Sequence, residues 1–111
     1  MSLSTHILDT ALGLPAANVP LVLYKLAAGQ WHELGHGETD RDGRCNTLLG
    51  DAPLEPVIYK LHFAISEYYT AKQITGLYPF IEITFSVAHP SQHYHIPLLL
   101  TANGYTTYRG S

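Results

Sequence analysis

Hydrophobic and polar residues alternate in short runs along most of the chain, and turn residues bound each run. This period of two is typical of strands, whereas the i, i+3, i+4 spacing of helices is rare. The pattern predicts eight strands, at residues 4–9, 19–27, 31–38, 45–48, 56–64, 80–88, 94–100 and 105–109. The chain is therefore predicted to be all-β.

Short connections separate these strands. The segments "AAGQ", "DRDG" and "TANG" are short enough to join antiparallel neighbours. One stretch, "SEYYTAKQITG", instead predicts a helix of about two turns, with Ser66 as its N-cap and Gly76 at its end. No repeat or linker interrupts the pattern, so residues 1–111 are predicted to form a single domain.

Composition and charge argue against several function classes. The net charge is −3 and the six basic residues are scattered, which disfavours a nucleic-acid partner because phosphate binding needs clustered Lys and Arg. No uncharged apolar run is long enough to span a bilayer, so no membrane partner is expected. The single cysteine, Cys45, forms no internal disulfide and, without a recognisable export signal, favours a cytoplasmic location.

Seven histidines are many for a chain with so few charges, and two of them form the motif "HYH" on a predicted strand. His93 and His95 share one face of that strand, because strand side chains alternate. The opposite face carries bulky, mostly aliphatic residues and is predicted to face the core: Tyr94, Ile96, Leu98 and Leu100. The two histidines therefore point away from the core, either into solvent or against another subunit.

Few other residues are candidates for chemistry. His6 lies on the first strand among small and apolar residues, where packing is the simplest role. Arg44 follows a turn glycine and begins a strand, so the sheet sets its direction; a surface ion pair with Asp40 or Asp42 is the alternative. Arg109 comes directly out of the last predicted strand.

These residues suit two kinds of site. A zinc site would use His6, His93 and His95, but the sequence has neither an H-E-x-x-H motif nor a cysteine pair. No G-x-S-x-G motif supports a serine nucleophile. What remains is a site without metal or cofactor, in which histidine acts as general base and arginine holds an anion or a developing oxyanion.

Four stretches of the chain carry a family likeness: "LSTHILDTALGLPA", "TDRDGR", "LYPFIEITF" and "HYHIPLLLTANGYTTYRGS". In these stretches the chain resembles the transthyretin-related family of 5-hydroxyisourate hydrolases. The resemblance implies a transthyretin-like (prealbumin-like) β-sandwich of two four-stranded antiparallel sheets with one short helix. It also implies a homotetramer, in which two dimers pack face to face and the active sites lie in the channel between them.

The resemblance also implies which residues form the site. The catalytic positions of the family fall on His6, Arg44 and His95. The substrate-binding positions include the terminal Tyr-Arg-Gly-Ser that marks the enzymes of this family, and they fall on His93, Tyr108, Arg109, Gly110 and Ser111.

The reaction that the resemblance implies is the hydrolysis of 5-hydroxyisourate to 2-oxo-4-hydroxy-4-carboxy-5-ureidoimidazoline in urate degradation. Histidine acid-base catalysis without a metal, together with arginine stabilisation, would carry it out. Two alternatives stay open. A transthyretin-like carrier would line the same channel with small hydroxyl and apolar groups, and a zinc-dependent cyclic amide hydrolase would use the histidines as metal ligands.

Overall fold

The computed structural model describes residues 2–111, within which nine strands and one helix follow one another. The elements are β1 (Leu3–Asp9), β2 (Leu14–Pro15), β3 (Pro20–Ala27), β4 (Gln30–Glu38), β5 (Arg44–Cys45), β6 (Ile58–Phe63), α1 (Ser66–Ala71), β7 (Ile81–Ser86), β8 (Tyr94–Thr101) and β9 (Gly104–Thr107). The all-β prediction is confirmed. The predicted strand 45–48 ends early, at β5, because the chain turns at residues 48–51. β2 was not predicted, since two residues show no alternation.

Two sheets pack against each other, and the predicted sandwich with one short helix is confirmed. The first sheet has the order β2-β1-β8-β9, with β5 also paired to β1, so it has five strands rather than four; the second sheet has the order β4-β3-β6-β7. The prediction that both sheets are antiparallel throughout is wrong. β1 and β8 run parallel, from Leu3 opposite Tyr94 to Asp9 opposite Leu100. Short turns indicate antiparallel neighbours, but no turn joins these two strands.

The core lies between the sheets and follows from the alternation in the sequence. Buried and half-buried positions alternate along β1, and the predicted core face of β8 is buried. Ile7 and Leu98, which face each other in the parallel register, are both 0% exposed. Pro97 is also buried, although it lies on the outward face, because Gly110 packs over it. The chain itself therefore covers part of that face.

The helix forms where it was predicted, but its ends differ. Its N-cap is Ile65 and carries no side-chain cap, so the prediction of Ser66 is wrong; the Ser66 hydroxyl donates to the Pro79 carbonyl oxygen instead. The helix ends at Ala71, before the predicted Gly76, and Gln73 adopts the left-handed backbone conformation (φ 58°) that commonly follows a helix end. Within residues 2–111, no helix has the length and hydrophobicity needed to cross a membrane.

A buried carboxylate ties the end of β1 to the helix. Asp9 is 2% exposed, and its Oδ1 accepts the main-chain N–H groups of Ala11 and Leu12, each at 3.1 Å. The Tyr68 hydroxyl donates to Asp9 Oδ2 at 2.7 Å. Burial, with the carboxylate adding to it, raises the pKa of Tyr68, so the phenol stays a donor. These bonds fix where β1 ends.

Replacing Leu98 with alanine tests the core. We expect Leu98→Ala to lower the free energy of unfolding by about 2 to 5 kcal/mol, because it removes a buried side chain and leaves a cavity. Leu12→Ala is the control, since Leu12 is 49% exposed, and its cost should stay within about 0.5 kcal/mol. Urea denaturation of both variants measures the difference. Equal losses would contradict the assignment of β8 to the core.

Candidate active site

Three strands of the first sheet bring the predicted catalytic residues together. In the register of β1, His6 lies opposite Arg44 of β5 on one side and Pro97 of β8 on the other. Two residues earlier, Ser4 lies opposite His95. His6 and His95 are half-buried and Arg44 is exposed, so the three side chains lie on the outward face of the sheet. We refer to His6, Arg44 and His95 as the outer-face cluster; their catalytic roles stay predictions.

A tight turn fixes the direction of Arg44. The Asp40 carboxylate accepts the main-chain N–H groups of Asp42 (2.9 Å) and Arg44 (3.0 Å), and the bond from Arg44 is the main cause that lowers the Asp40 pKa. Gly43 has φ +74°, and its carbonyl oxygen accepts the Ile7 N–H at 2.8 Å, which docks the turn on β1. In the described part of the chain, the alternative ion pair of Arg44 with either aspartate does not form.

His95 is held through its ring nitrogen by a neighbouring strand. The Ser4 hydroxyl lies 2.7 Å from His95 Nδ1 and 3.0 Å from His93 Nε2. Because Ser4 and His95 face each other in the parallel ladder, the main chain sets this contact. The hydrogen bond orients the His95 ring, so that its other nitrogen, Nε2, is the one available for chemistry.

Burial lowers the pKa of His95, which is the largest cause of its shift from the ordinary value of 6.5. The positive charges of Arg44, His6 and His93 lower it further, and a hydrogen bond with the Ser4 main chain opposes them weakly. The neutral imidazole therefore persists below pH 6.5. A histidine that is neutral at physiological pH is able to accept a proton from water.

Gly110 packs directly against the His95 ring. Its N–H donates to the His95 main-chain oxygen at 2.8 Å, and the two residues form an isolated β-bridge. A Cβ at position 110 would lie 2.5 Å from His95 Cδ2 and 3.2 Å from Pro97 Cγ. A glycine therefore fits here without displacing the imidazole, and a larger residue does not.

Arg109 is turned away from the outer-face cluster. Its guanidinium donates to the Gln92 side-chain oxygen (3.1 Å) and to the His93 carbonyl oxygen (3.3 Å). It also lies 4.2 Å from the centre of the Tyr94 ring, a cation–π contact. These contacts anchor residues 108–111, the C-terminal segment, to the residues around the start of β8.

Tyr108 and Arg109 lie at an edge of the sandwich. Tyr108 and Arg109 line a cavity of about 360 Å³ together with residues of β7, and the outer-face cluster does not contribute to its lining. Tyr108 and Ser111 are exposed. The predicted substrate-binding residues thus divide into two groups: His93 and Gly110 lie next to His95, whereas Tyr108 and Arg109 line the cavity beside β7.

Comparison with known proteins shows which family the chain belongs to. A sequence model of the HIUase/Transthyretin family matches residues 3–110. The chain belongs to this family. The resemblance that the sequence motifs indicated is therefore confirmed over nearly the whole length.

Several relatives are similar along their full length. Mouse (Mus musculus) 5-hydroxyisourate hydrolase is 44% identical over 111 residues, which cover 98% of this chain and 94% of the mouse protein. Klebsiella pneumoniae 5-hydroxyisourate hydrolase superposes with a TM-score of 0.87 at 31% identity, with 100% of both chains covered. Sea bream transthyretin, solved in complex with thyroxine, superposes with a TM-score of 0.92 at 30% identity, covering 99% of this chain and 95% of the other. The transthyretin-like fold is confirmed.

The zinc alternative needs three donor side chains that converge on one point. Among residues 2–111 of this HIUase/Transthyretin family member, no group of three His, Cys, Asp or Glu side chains is arranged to hold a metal ion. His93 and His95 meet through Ser4 instead of presenting their nitrogens to a common centre. The arrangement of these donor atoms does not favour a metal site.

Ser4 contacts the outer-face cluster but was not predicted as a functional residue. Alternation along β1 does place Ser4 on the same face as His6, which is a weak signal. The contact with His95 could not be predicted, because it depends on which strand lies beside β1. The same reason applies to Gln92, which meets Arg109 only once the C-terminal segment folds back on the sheet.

The effect of the Arg44 charge on the pKa of His95 is directly measurable. Arg44→Gln removes a positive charge that disfavours the imidazolium, so we expect the pKa of His95 to rise towards 6.5. Histidine ring resonances followed by NMR against pH measure the change. Arg41→Gln is the matched control, because Arg41 lies in the exposed turn and is not a cause of the shift. An unchanged His95 pKa in Arg44→Gln would show that the guanidinium does not face the ring.

Proposed function

We propose that this chain hydrolyses 5-hydroxyisourate to 2-oxo-4-hydroxy-4-carboxy-5-ureidoimidazoline, a step of urate degradation. The observation that carries the proposal is the outer-face cluster: a half-buried histidine of lowered pKa beside a guanidinium and a second histidine. The family and the 44% identical mouse 5-hydroxyisourate hydrolase support the same reaction.

Opening the substrate ring is an amide-type hydrolysis with three requirements. Water must lose a proton as it attacks, the carbonyl oxygen gains negative charge, and the leaving nitrogen must gain a proton. His95 is proposed to take the proton from water and to return it to the leaving nitrogen, because its pKa is lowered. His6 orients the water. Arg44 offers two parallel N–H donors to the substrate oxygens.

The expected sizes of these effects are consistent with an enzyme of this kind. A positioned base contributes about 10² to 10⁴ in rate. A donor aimed at a developing oxyanion contributes about 10² to 10³. Acting together, they lower the barrier by about 5 to 10 kcal/mol.

The active assembly is proposed to be a homotetramer, with the outer faces of the first sheets of two dimers lining a channel. Two features of the single chain support this. β7 and β9 are each at one edge of their sheet, and both border the cavity that Tyr108 lines, so this side of the sandwich offers two unpaired edges to a partner. In one chain the two histidines of the outer-face cluster are half-buried and Arg44 is exposed, and the cluster gains a closed, drier site when a second dimer covers it.

A transthyretin-like carrier is the second candidate. The high TM-score to sea bream transthyretin, a protein solved with thyroxine, shows that the backbone alone does not separate the two functions. The side chains do separate them. A carrier of an apolar ligand has no need of a lowered-pKa histidine next to an arginine, and this chain places both on the face in question.

An absorbance assay tests the proposed reaction. 5-Hydroxyisourate is generated freshly from urate, and its decay is followed with and without the protein. We expect a rate well above the spontaneous one, unchanged by prior chelation. His6→Asn and His95→Asn should each lower turnover at least about a hundredfold, whereas the control His36→Asn, on exposed β4, should not.

Each contrary outcome of this assay points to one alternative. No acceleration by the parent protein would favour the carrier. Loss of activity on chelation, restored by zinc, would favour the metal-dependent hydrolase. Parental rates in either histidine variant would refute that residue's assignment.

Gly110→Ala tests the role of the C-terminal segment. The added Cβ would collide with His95 Cδ2, so the imidazole must move, and we expect turnover to fall at least about tenfold with a smaller change in thermal stability. Gly104→Ala is the control, because its Cβ would meet no atom closer than 3.6 Å. If both variants keep parental turnover, the C-terminal segment does not position His95.

A further inference from the structure

We propose that Ser4 is a positioning residue whose hydroxyl passes a proton between His95 and His93, an inference that rests on the proposed hydrolytic function. Ser4 Oγ lies 2.7 Å from His95 Nδ1 and 3.0 Å from His93 Nε2. Both are hydrogen-bond lengths, so the three side chains form one continuous chain, the Ser4 relay. The nitrogen of His95 outside this chain, Nε2, faces the reaction.

The single hydroxyl hydrogen of Ser4 decides the directions of the two hydrogen bonds in the Ser4 relay. A serine hydroxyl donates one hydrogen bond and accepts others. When Ser4 donates to one imidazole, the other imidazole must donate to Ser4 if both bonds are to form. The tautomers of His95 and His93 are therefore coupled through a single hydroxyl hydrogen.

One of the two arrangements prepares His95 as a base. In it, His95 Nδ1–H donates to Ser4 Oγ, the Ser4 hydroxyl donates to His93 Nε2, and His95 Nε2 keeps its lone pair. In the other arrangement Nε2 carries the hydrogen, so His95 is unable to accept a proton from water. The Ser4 relay thus selects the tautomer, as the bond at the far nitrogen does for other histidines.

The same chain moves charge after the first proton transfer. Capture of a proton at Nε2 makes His95 an imidazolium. Its Nδ1 proton then passes to Ser4 Oγ while the Ser4 hydroxyl proton passes to His93 Nε2. One N–H and one O–H bond break, one O–H and one N–H bond form, and the positive charge moves from His95 to His93. The reverse shift restores Nδ1–H as Nε2 gives its proton to the leaving nitrogen.

The surroundings of the two rings favour this direction. His95 is half-buried, and the charges of Arg44 from β5 and His6 from β1 add to burial in disfavouring its imidazolium. His93 is exposed, so water reaches its ring. Arg109 of the C-terminal segment holds the main chain there by donating to the His93 carbonyl oxygen. The Ser4 relay therefore leads from a half-buried ring to an exposed one.

Main-chain bonds keep the Ser4 relay in place. Ser4 and His95 are partners in the β1–β8 ladder, and Tyr94 N–H donates to the Ser2 oxygen at 2.7 Å just before it. Gly110 N–H holds the His95 main-chain oxygen at 2.8 Å. The distance between Ser4 and His95 is thus set by the pairing of β1 with β8.

Three variants separate a relay from a merely structural hydrogen bond. Ser4→Ala removes the hydroxyl, whereas Ser4→Thr keeps a hydroxyl on a residue type that is common in strands. His93→Gln changes the last group of the Ser4 relay and leaves the sequence of β1 unchanged. With freshly generated 5-hydroxyisourate, we expect kcat of Ser4→Ala and His93→Gln to fall at least about tenfold, with KM within about threefold. Ser4→Thr should recover most of the parental kcat.

A second measurement is independent of activity. ¹⁵N NMR of the histidine rings reports which nitrogen carries the hydrogen. In the parent protein above the pKa of His95, we expect Nδ1 to be protonated and Nε2 to be bare. In Ser4→Ala the Nε2–H tautomer should gain population, and in Ser4→Thr it should not.

The outcomes distinguish this inference from the proposed function. A parent protein that fails to accelerate 5-hydroxyisourate decay overturns the function, whatever the NMR result. An active parent whose His95 tautomer is Nε2–H, or is the same in Ser4→Ala, overturns the Ser4 relay. Parental kcat in a folded His93→Gln would overturn the role of His93, and this result does not depend on whether Ser4→Ala folds.

Discussion

The parallel pairing of β1 with β8 is the constraint on which both the core and the site depend. It places Ile7 against Leu98 on the inner face, where both are inaccessible to solvent, and Ser4 against His95 on the outer face. A shift of one residue would exchange the two faces of β1. Burial of the inner face therefore fixes the register, and the register in turn fixes the position of each histidine. The stability of the sandwich and the geometry of its candidate site have the same cause.

The site also shows how a fold changes the chemistry of an ordinary side chain. His95 is half-buried by the C-terminal segment and faces the charges of Arg44 and His6, and each of these effects disfavours its imidazolium. One pKa unit corresponds to about 1.4 kcal/mol between the protonation states. Gly110 leaves room for the ring, because it carries no Cβ. Burial and neighbouring charge thus favour a neutral imidazole at position 95.

Alternation in the sequence was sufficient to predict most strands and the two faces of β8, because burial of one face is a local pattern. It did not predict that β1 and β8 are parallel neighbours, since residues about 90 positions apart carry no local signal; Ser4 and His95 are separated by 91. The prediction of the N-cap of α1 was wrong for another reason. Ser66 has the right chemistry for a cap, but its hydroxyl finds the Pro79 oxygen, a tertiary partner. Strand alternation marked His6 and His95 as candidates, but their predicted catalytic roles came from the family motifs.

We propose that the substrate binds on the outward face of the first sheet, over the outer-face cluster. Urate has the same fused rings as the substrate and does not undergo ring opening, so it is a stable probe. Titration of the isotopically labelled protein with urate, followed by amide chemical shifts, tests the claim most directly. The largest perturbations should fall on His6, Arg44, His95 and Gly110. Perturbations confined to β7 and the cavity beside Tyr108, or none at saturating urate, would contradict it.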